Sequence, residues 1–145
     1  MTEPSSAANT PQQQLDRLRE SLLRLHKALI DSERVGYESA FGTINSPNHF
    51  LQLLLQDPWF AWLKPLSELM VKIDETMDGK EPLTHAMAAN LLNSTHLLLK
   101  PSESEPGFGQ HYFAALQSEP DVVLAHADVL KALKKGRTPS SKRKD

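Results

Sequence analysis

The stretch Asp57-Pro58-Trp59-Phe60-Ala61-Trp62-Leu63-Lys64-Pro65-Leu66-Ser67-Glu68-Leu69-Met70-Val71-Lys72-Ile73-Asp74-Glu75-Thr76-Met77 holds both tryptophans of the chain and a continuous apolar stripe. Trp59, Trp62, Leu66, Leu69 and Ile73 follow a three-then-four spacing, which aligns them along one side of a helix. A side of that character has to face a core. Asp57-Pro58 in front of it is a capping residue followed by proline, the usual signal of a helix start. Pro65 removes the hydrogen bond to the Ala61 carbonyl and crowds it, so a kink there, or a break and restart, is expected. Phe60 sits off the stripe, and exposure at that position would mark an interface.

The same helical spacing extends in both directions. Leu15, Leu18, Leu22, Leu25 and Leu29 repeat three-four-three-four as an a/d seam. Beyond Leu29 the seam meets Ser32, Glu33 and Gly36 before Tyr37 and Phe41 resume it, with Gly42 as the stop. Ser46-Pro47 opens a short helix whose residues His49, Phe50, Leu51, Leu53, Leu54 and Leu55 are apolar nearly all round, which predicts burial on more than one side. Glu81-Pro82 begins a third long helix that runs to Lys100. Its stripe is Leu83, Met87, Leu91 and Leu98, widened by Leu92 and Leu99. After a loop over 102–109, Tyr112, Phe113 and Leu116 form a short amphipathic helix. Pro120 starts the last one, with Val122, Val123, His126, Val129, Leu130 and Leu133 turned inward and Gly136 as its end.

No run alternates with the period of a strand, and leucine outweighs the β-branched residues, so the fold class is all-α. The expected architecture is an antiparallel helical bundle of four long helical units, two of them kinked or broken, near Pro58/Pro65 and near Pro120. Residues 1–12 read as a disordered lead-in, 13–135 as a single bundle domain and 136–145 as a disordered basic tail. A chain of 145 residues is long enough for a core that needs no disulfide or metal staple.

Composition excludes several chemistries. With no cysteine there is no thiol catalysis, disulfide, thiolate zinc site or iron–sulfur cluster. The N-terminus lacks a basic start and an apolar run, so no secretory signal is read there, and no stretch approaches the ~20 apolar residues of a membrane span. The expected location is cytoplasmic. Lys131, Lys134, Lys135, Arg137, Lys142, Arg143 and Lys144 against Asp145 give the last fifteen residues a net charge of +6, which leaves −8 on the remainder of a chain whose total is −2. An acidic body repels a phosphate backbone, so polyanion or nucleic-acid binding is confined to the tail, through Lys134, Lys135, Arg137, Lys142, Arg143 and Lys144. That tail also resembles a two-part basic targeting signal.

Helical bundles commonly hold metals, which makes the six histidines the first test. No glutamate has a histidine three residues after it, His-Glu-x-x-His is absent, and no two histidines stand three or four apart. His85 and His96 are about 16 Å apart along one helix at 1.5 Å per residue, too far to share an ion. A set drawn from separate helices, such as His26, Glu33, Glu68 and His126, is the remaining route, and no metal or cofactor is expected. Glu33 continues an apolar seam: either the helix turns its polar face to solvent there, the leading expectation, or the carboxylate meets a basic partner such as Lys64 or Arg34, or lines a cavity. Trp59, Phe60 and Trp62 are candidates for an aromatic wall or a partner's anchor beside Glu33 and Tyr37. There is no Gly-x-Ser-x-Gly, no Gly-x-Gly-x-x-Gly and no phosphate loop, so no catalytic set is assigned.

The function expected from these residues is a non-enzymatic helical interaction or regulatory protein that binds a protein partner, with a homodimer as the expected assembly. The alternatives are a bundle binding a small molecule, metal or haem near His26, Glu33, Tyr37, Trp59, Phe60, Trp62, Lys64 and Glu68, and polyanion binding through the tail.

Overall fold

Helical spacing over much of the chain becomes a succession of helices in the computed structural model, which describes residues 10–104 and 106–136, with only the backbone given for 135 and 136. Apart from residues 10–12 and 136, the expected lead-in and basic tail lie outside the described residues. These contain six α-helices and one 3-10 segment: α1 (Pro11–Phe41), α2 (Pro47–Gln56), the 3-10 segment (Pro58–Leu63), α3 (Lys64–Asp78), α4 (His85–Leu98), α5 (Phe108–Ser118) and α6 (Pro120–Gly136). None of the helices is long and apolar enough to cross a membrane.

The axis of the fold is α1, whose 31 residues reach about 46 Å at 1.5 Å per residue. It starts where Thr10 Oγ1 accepts the Gln13 N–H at 3.1 Å, with Pro11 occupying the first position, where its missing N–H costs nothing. It stops at Gly42, whose φ of 109° few other residues adopt and whose N–H reaches the Glu38 carbonyl at 2.9 Å. Leu15, Leu18, Leu22, Leu25 and Leu29 are all fully enclosed, with α6, α3 and α4 packed on them. Two ion pairs mark how these helices lie on α1: Arg24–Asp128 at 3.8 Å and Arg19–Asp74 at 3.2 Å. Both are exposed, worth at most about 1 kcal/mol, whereas each buried leucine contributes about 1.5–3 kcal/mol. The leucines hold the assembly together.

Both expected interruptions are present. Asp57 ends α2 and caps the next element, its Oδ1 accepting the Trp59 N–H at 2.8 Å. Glu119 separates α5 from α6 as a single non-helical residue before Pro120. At Pro65 the chain restarts rather than kinks: the Lys64 N–H bonds to the Ala61 carbonyl, closing the 3-10 segment, and Pro65 falls in the first turn of α3.

That 3-10 segment corrects the expected core stripe. Three residues per turn put positions 60, 63 and 66 in one row, and the buried set is Phe60, Leu63, Leu66, Leu69 and Ile73. Trp59 and Trp62 are only partly buried against this core. Phe60, expected off the stripe, is 1% exposed.

The short helix is corrected more deeply. No residue of α2 is buried, although its sequence is apolar nearly all round; it packs chiefly on the 3-10 segment and leaves Leu51 52% and Leu55 73% exposed. Smaller shifts occur in α4 and α6. Thr84 caps α4 by accepting the Met87 N–H at 3.1 Å, so that helix begins three residues after Glu81-Pro82, and its buried face is Ala88, Leu91, Leu92 and Thr95. On α6 the enclosed residues are Val122, Ala125, Val129, Ala132 and Leu133, while Val123 and Leu130 are exposed.

Candidate functional site

Although Phe50, Leu53 and Leu54 of α2 pack against the core, a cleft of about 590 Å³ opens between α2, α1, the 3-10 segment and α3. Ile30 of α1, Leu54 of α2 and Phe60 and Leu63 of the 3-10 segment provide its apolar lining. The exposed side chains of Leu51 and Leu55 lie on one wall and Val71, 53% exposed, on the α3 wall. Polar groups are few. His26 Nε2 and Ser67 Oγ are paired at 3.1 Å across the α1–α3 junction, and burial lowers the His26 pKa from its ordinary value. Lys64 and Glu68 stand exposed one turn apart on α3, and neither forms an ion pair among the described residues.

The 3-10 segment divides the expected site residues into two groups. His26, Phe60, Lys64 and Glu68 line the cleft. Glu33, Tyr37, Trp59 and Trp62 gather in a second cluster outside it. There the Trp59 indole N–H donates to the main-chain carbonyl of Glu33 at 3.1 Å. The Trp59 ring meets Tyr37 and Phe41 edge-on, with centroids at 6.0 and 5.7 Å. Gly36 makes this approach possible, since a Cβ there would lie 3.1 Å from the indole. Trp62 stacks on His111 with centroids at 5.0 Å. Burial raises the Glu33 pKa from its ordinary value, the His111 imidazole and the indole N–H groups of Trp59 and Trp62 pull it down, and Glu119 adds to the rise.

Neither basic residue considered as a partner for Glu33 pairs with it. Arg34 serves Glu38 at 3.5 Å and lies 4.6 Å from the centre of the Phe50 ring, and Lys64 is on the cleft rim, so neither neutralises Glu33. The four-residue set His26, Glu33, Glu68 and His126 does not assemble either. His126 Nδ1 is bonded to the hydroxyl of fully buried Tyr112 at 2.7 Å, and no three His, Asp or Glu side chains among the described residues converge to hold a metal. Of the basic residues, Lys134 is exposed on α6, whereas Arg137, Lys142, Arg143 and Lys144 lie outside the described residues.

Sequence reasoning missed Leu51, Leu55, Ser67, Val71 and His111. The signal for the two leucines was present in the all-round apolarity of α2, which has two physical solutions: burial on several sides, or one side left for something else. His111 carried no signal, because its place beside Trp62 depends on how α5 folds back.

Comparison with protein-family models, curated proteins and solved structures finds no match to this chain.

Proposed function

We propose that the protein is a non-enzymatic interaction protein of regulatory type that self-associates, the cleft of each copy receiving α2 of the other. The observation that carries this reading is α2 itself, an apolar helix without a buried residue that forms one wall of an apolar cleft. An exposed apolar surface of that kind is usually covered by a partner. Charge favours a second copy as that partner. A two-fold axis passing between Lys64 and Glu68 sets α3 against its own copy and brings each Lys64 opposite the partner's Glu68, so two unpaired rim charges satisfy one another twice. In this reading α1, α3, α4 and α6 form an antiparallel four-helix bundle, and α2 is the arm it presents.

The His26–Ser67 pair supports a second reading, since a few polar groups in an apolar cleft of this size also suit a small amphiphilic ligand. Native mass spectrometry of the purified chain separates the two. A ligand-free dimer is expected; a monomer retaining a small apolar molecule supports the second reading, and a ligand-free monomer at every concentration contradicts both.

A further inference from the structure

Charge is unevenly placed over the helices. The carboxylates concentrate on α1 and α3, whereas α4 and α5, which both pack on α6, contain no Asp, Glu, Lys or Arg. On α6, Asp128 is turned toward Arg24 of α1 at 3.8 Å, and Asp121, two helical turns earlier, shares that side. The outward face of α6 is therefore free of acid. It consists of Val123, Leu124, Ala127, Leu130, Lys131 and Lys134, all exposed, with Leu124 67% exposed. Apolar residues occupy its first two turns and lysines its last. After Asp128 the sequence holds no acid until Asp145, and the lysines of α6 are followed by Arg137, Lys142, Arg143 and Lys144.

We propose that this face of α6 rests on an anionic lipid bilayer, with Val123, Leu124 and Leu130 entering the boundary between headgroups and acyl chains and Lys131 and Lys134 meeting acidic headgroups. A helix face that joins apolar side chains to lysines, beside a run of basic residues, is complementary to such a surface in both charge and polarity. The apolar residues separate a bilayer from a nucleic acid, because a phosphate backbone would engage the lysines and leave Leu124 in water. They also separate it from a protein partner. Anchors between proteins fill pockets, but here the apolar row crowns a single helix, and a bilayer asks only that it sink about 5–10 Å. The acidity of the rest of the chain does not prevent the approach. A helix is about 10–12 Å across and the Debye length at physiological salt is about 8 Å, so carboxylates behind α6 act weakly on its outward face. The residues lining the cleft all lie on other elements, so this contact is independent of self-association.

Flotation of the full chain with vesicles of phosphatidylcholine alone, and of phosphatidylcholine and phosphatidylserine in equal parts, measures the partition coefficient. Binding is expected on the anionic vesicles and not on the neutral ones, and it should weaken as salt is added. Lys131→Ala and Lys134→Ala should each lower the coefficient about fivefold, the effect of one basic group near an anionic surface. Leu124→Ser should lower it about tenfold through lost apolar burial. All three positions are exposed, so thermal melts should match the original chain and separate lost binding from unfolding. Equal binding to neutral vesicles overturns the proposal. So does a Leu124→Ser variant that binds as the original does while the lysine variants weaken, since contact then runs through charge alone, as on a nucleic acid. Failure to bind anionic vesicles overturns it as well, and binding of an amphipathic Leu/Glu peptide instead would assign the face to an acidic protein partner.

Discussion

Shortening Phe60 removes a large side chain that is 1% exposed and ringed by Tyr37 and Phe50 at 5.6 and 5.9 Å. Phe60→Ala should cost about 3–5 kcal/mol in urea unfolding, the usual loss for a buried aromatic. A loss under about 1 kcal/mol would place Phe60 at the surface instead of in the core. Its spacing set it off the expected stripe for one reason: residues advance about 120° in a 3-10 turn and 100° in an α-helix, and nothing in Asp57-Pro58-Trp59 announces which is used. The leucines of α1 were legible because a single helix geometry runs unbroken through all five. Titration at single residues gives a second test. Burial holds His26 and His126 below the ordinary imidazole value, so their stabilising contribution is present above the unfolded-state value and is lost as pH falls through the folded-state one. Glu33, raised by burial, works in the opposite sense: its contribution is present below the unfolded-state value and is lost as pH rises through the folded-state one. Replacing both histidines with glutamine should flatten the loss of unfolding free energy between about pH 7 and about pH 5, measured by denaturant titration. An unchanged slope contradicts the assignment.

Among the elements, α2 and α3 give the clearest expectations. With no buried side chain, α2 should open with a free energy far below the global value, and its amides should exchange fastest among the helices. The amides between Leu18 and Leu29 in α1 should exchange only through global unfolding, because every leucine in that span's seam is enclosed. Protection of α2 equal to that of α1 in a monomeric sample would mean that the helix is packed far better than its exposure indicates. Pro65 lies in the first turn of α3, where an N–H has no intrahelical acceptor. Pro65→Ala should therefore change stability by less than about 0.5 kcal/mol in thermal melts; a gain of several kcal/mol would show that the proline was breaking a continuous helix. Helix starts were readable from the sequence where a capping residue directly precedes proline, as at Ser46-Pro47 and Asp57-Pro58. The start of α4 was misread because Pro82 drew the boundary forward, while the cap that forms is Thr84. Which side of a helix is buried was harder to read for α4 and α6, whose alanines let either of two adjacent stripes face the core.

For the whole molecule, the helical class was legible from spacing and from the dominance of leucine, and the second cluster was foreseen in part through Glu33, Tyr37 and the tryptophans. The cleft was not, because it arises from α2 standing away from α1 and α3, a tertiary relation that no local pattern encodes. Its location ties the proposed self-association to specific side chains: Leu55 on the α2 wall, and Lys64 and Glu68 on the α3 rim. Leu55 is exposed, so a charge there should leave the monomer's stability within about 0.5 kcal/mol of the original while opposing burial in a partner. Sedimentation equilibrium of the unaltered chain, Leu55→Lys, Lys64→Glu and the double exchange Lys64→Glu/Glu68→Lys tests this most directly. The account predicts a dimer for the unaltered chain, a folded monomer for Leu55→Lys, weakened association for Lys64→Glu and its recovery in the double exchange. An unaltered chain that remains monomeric, or a Leu55→Lys variant that associates as tightly as the original, contradicts it.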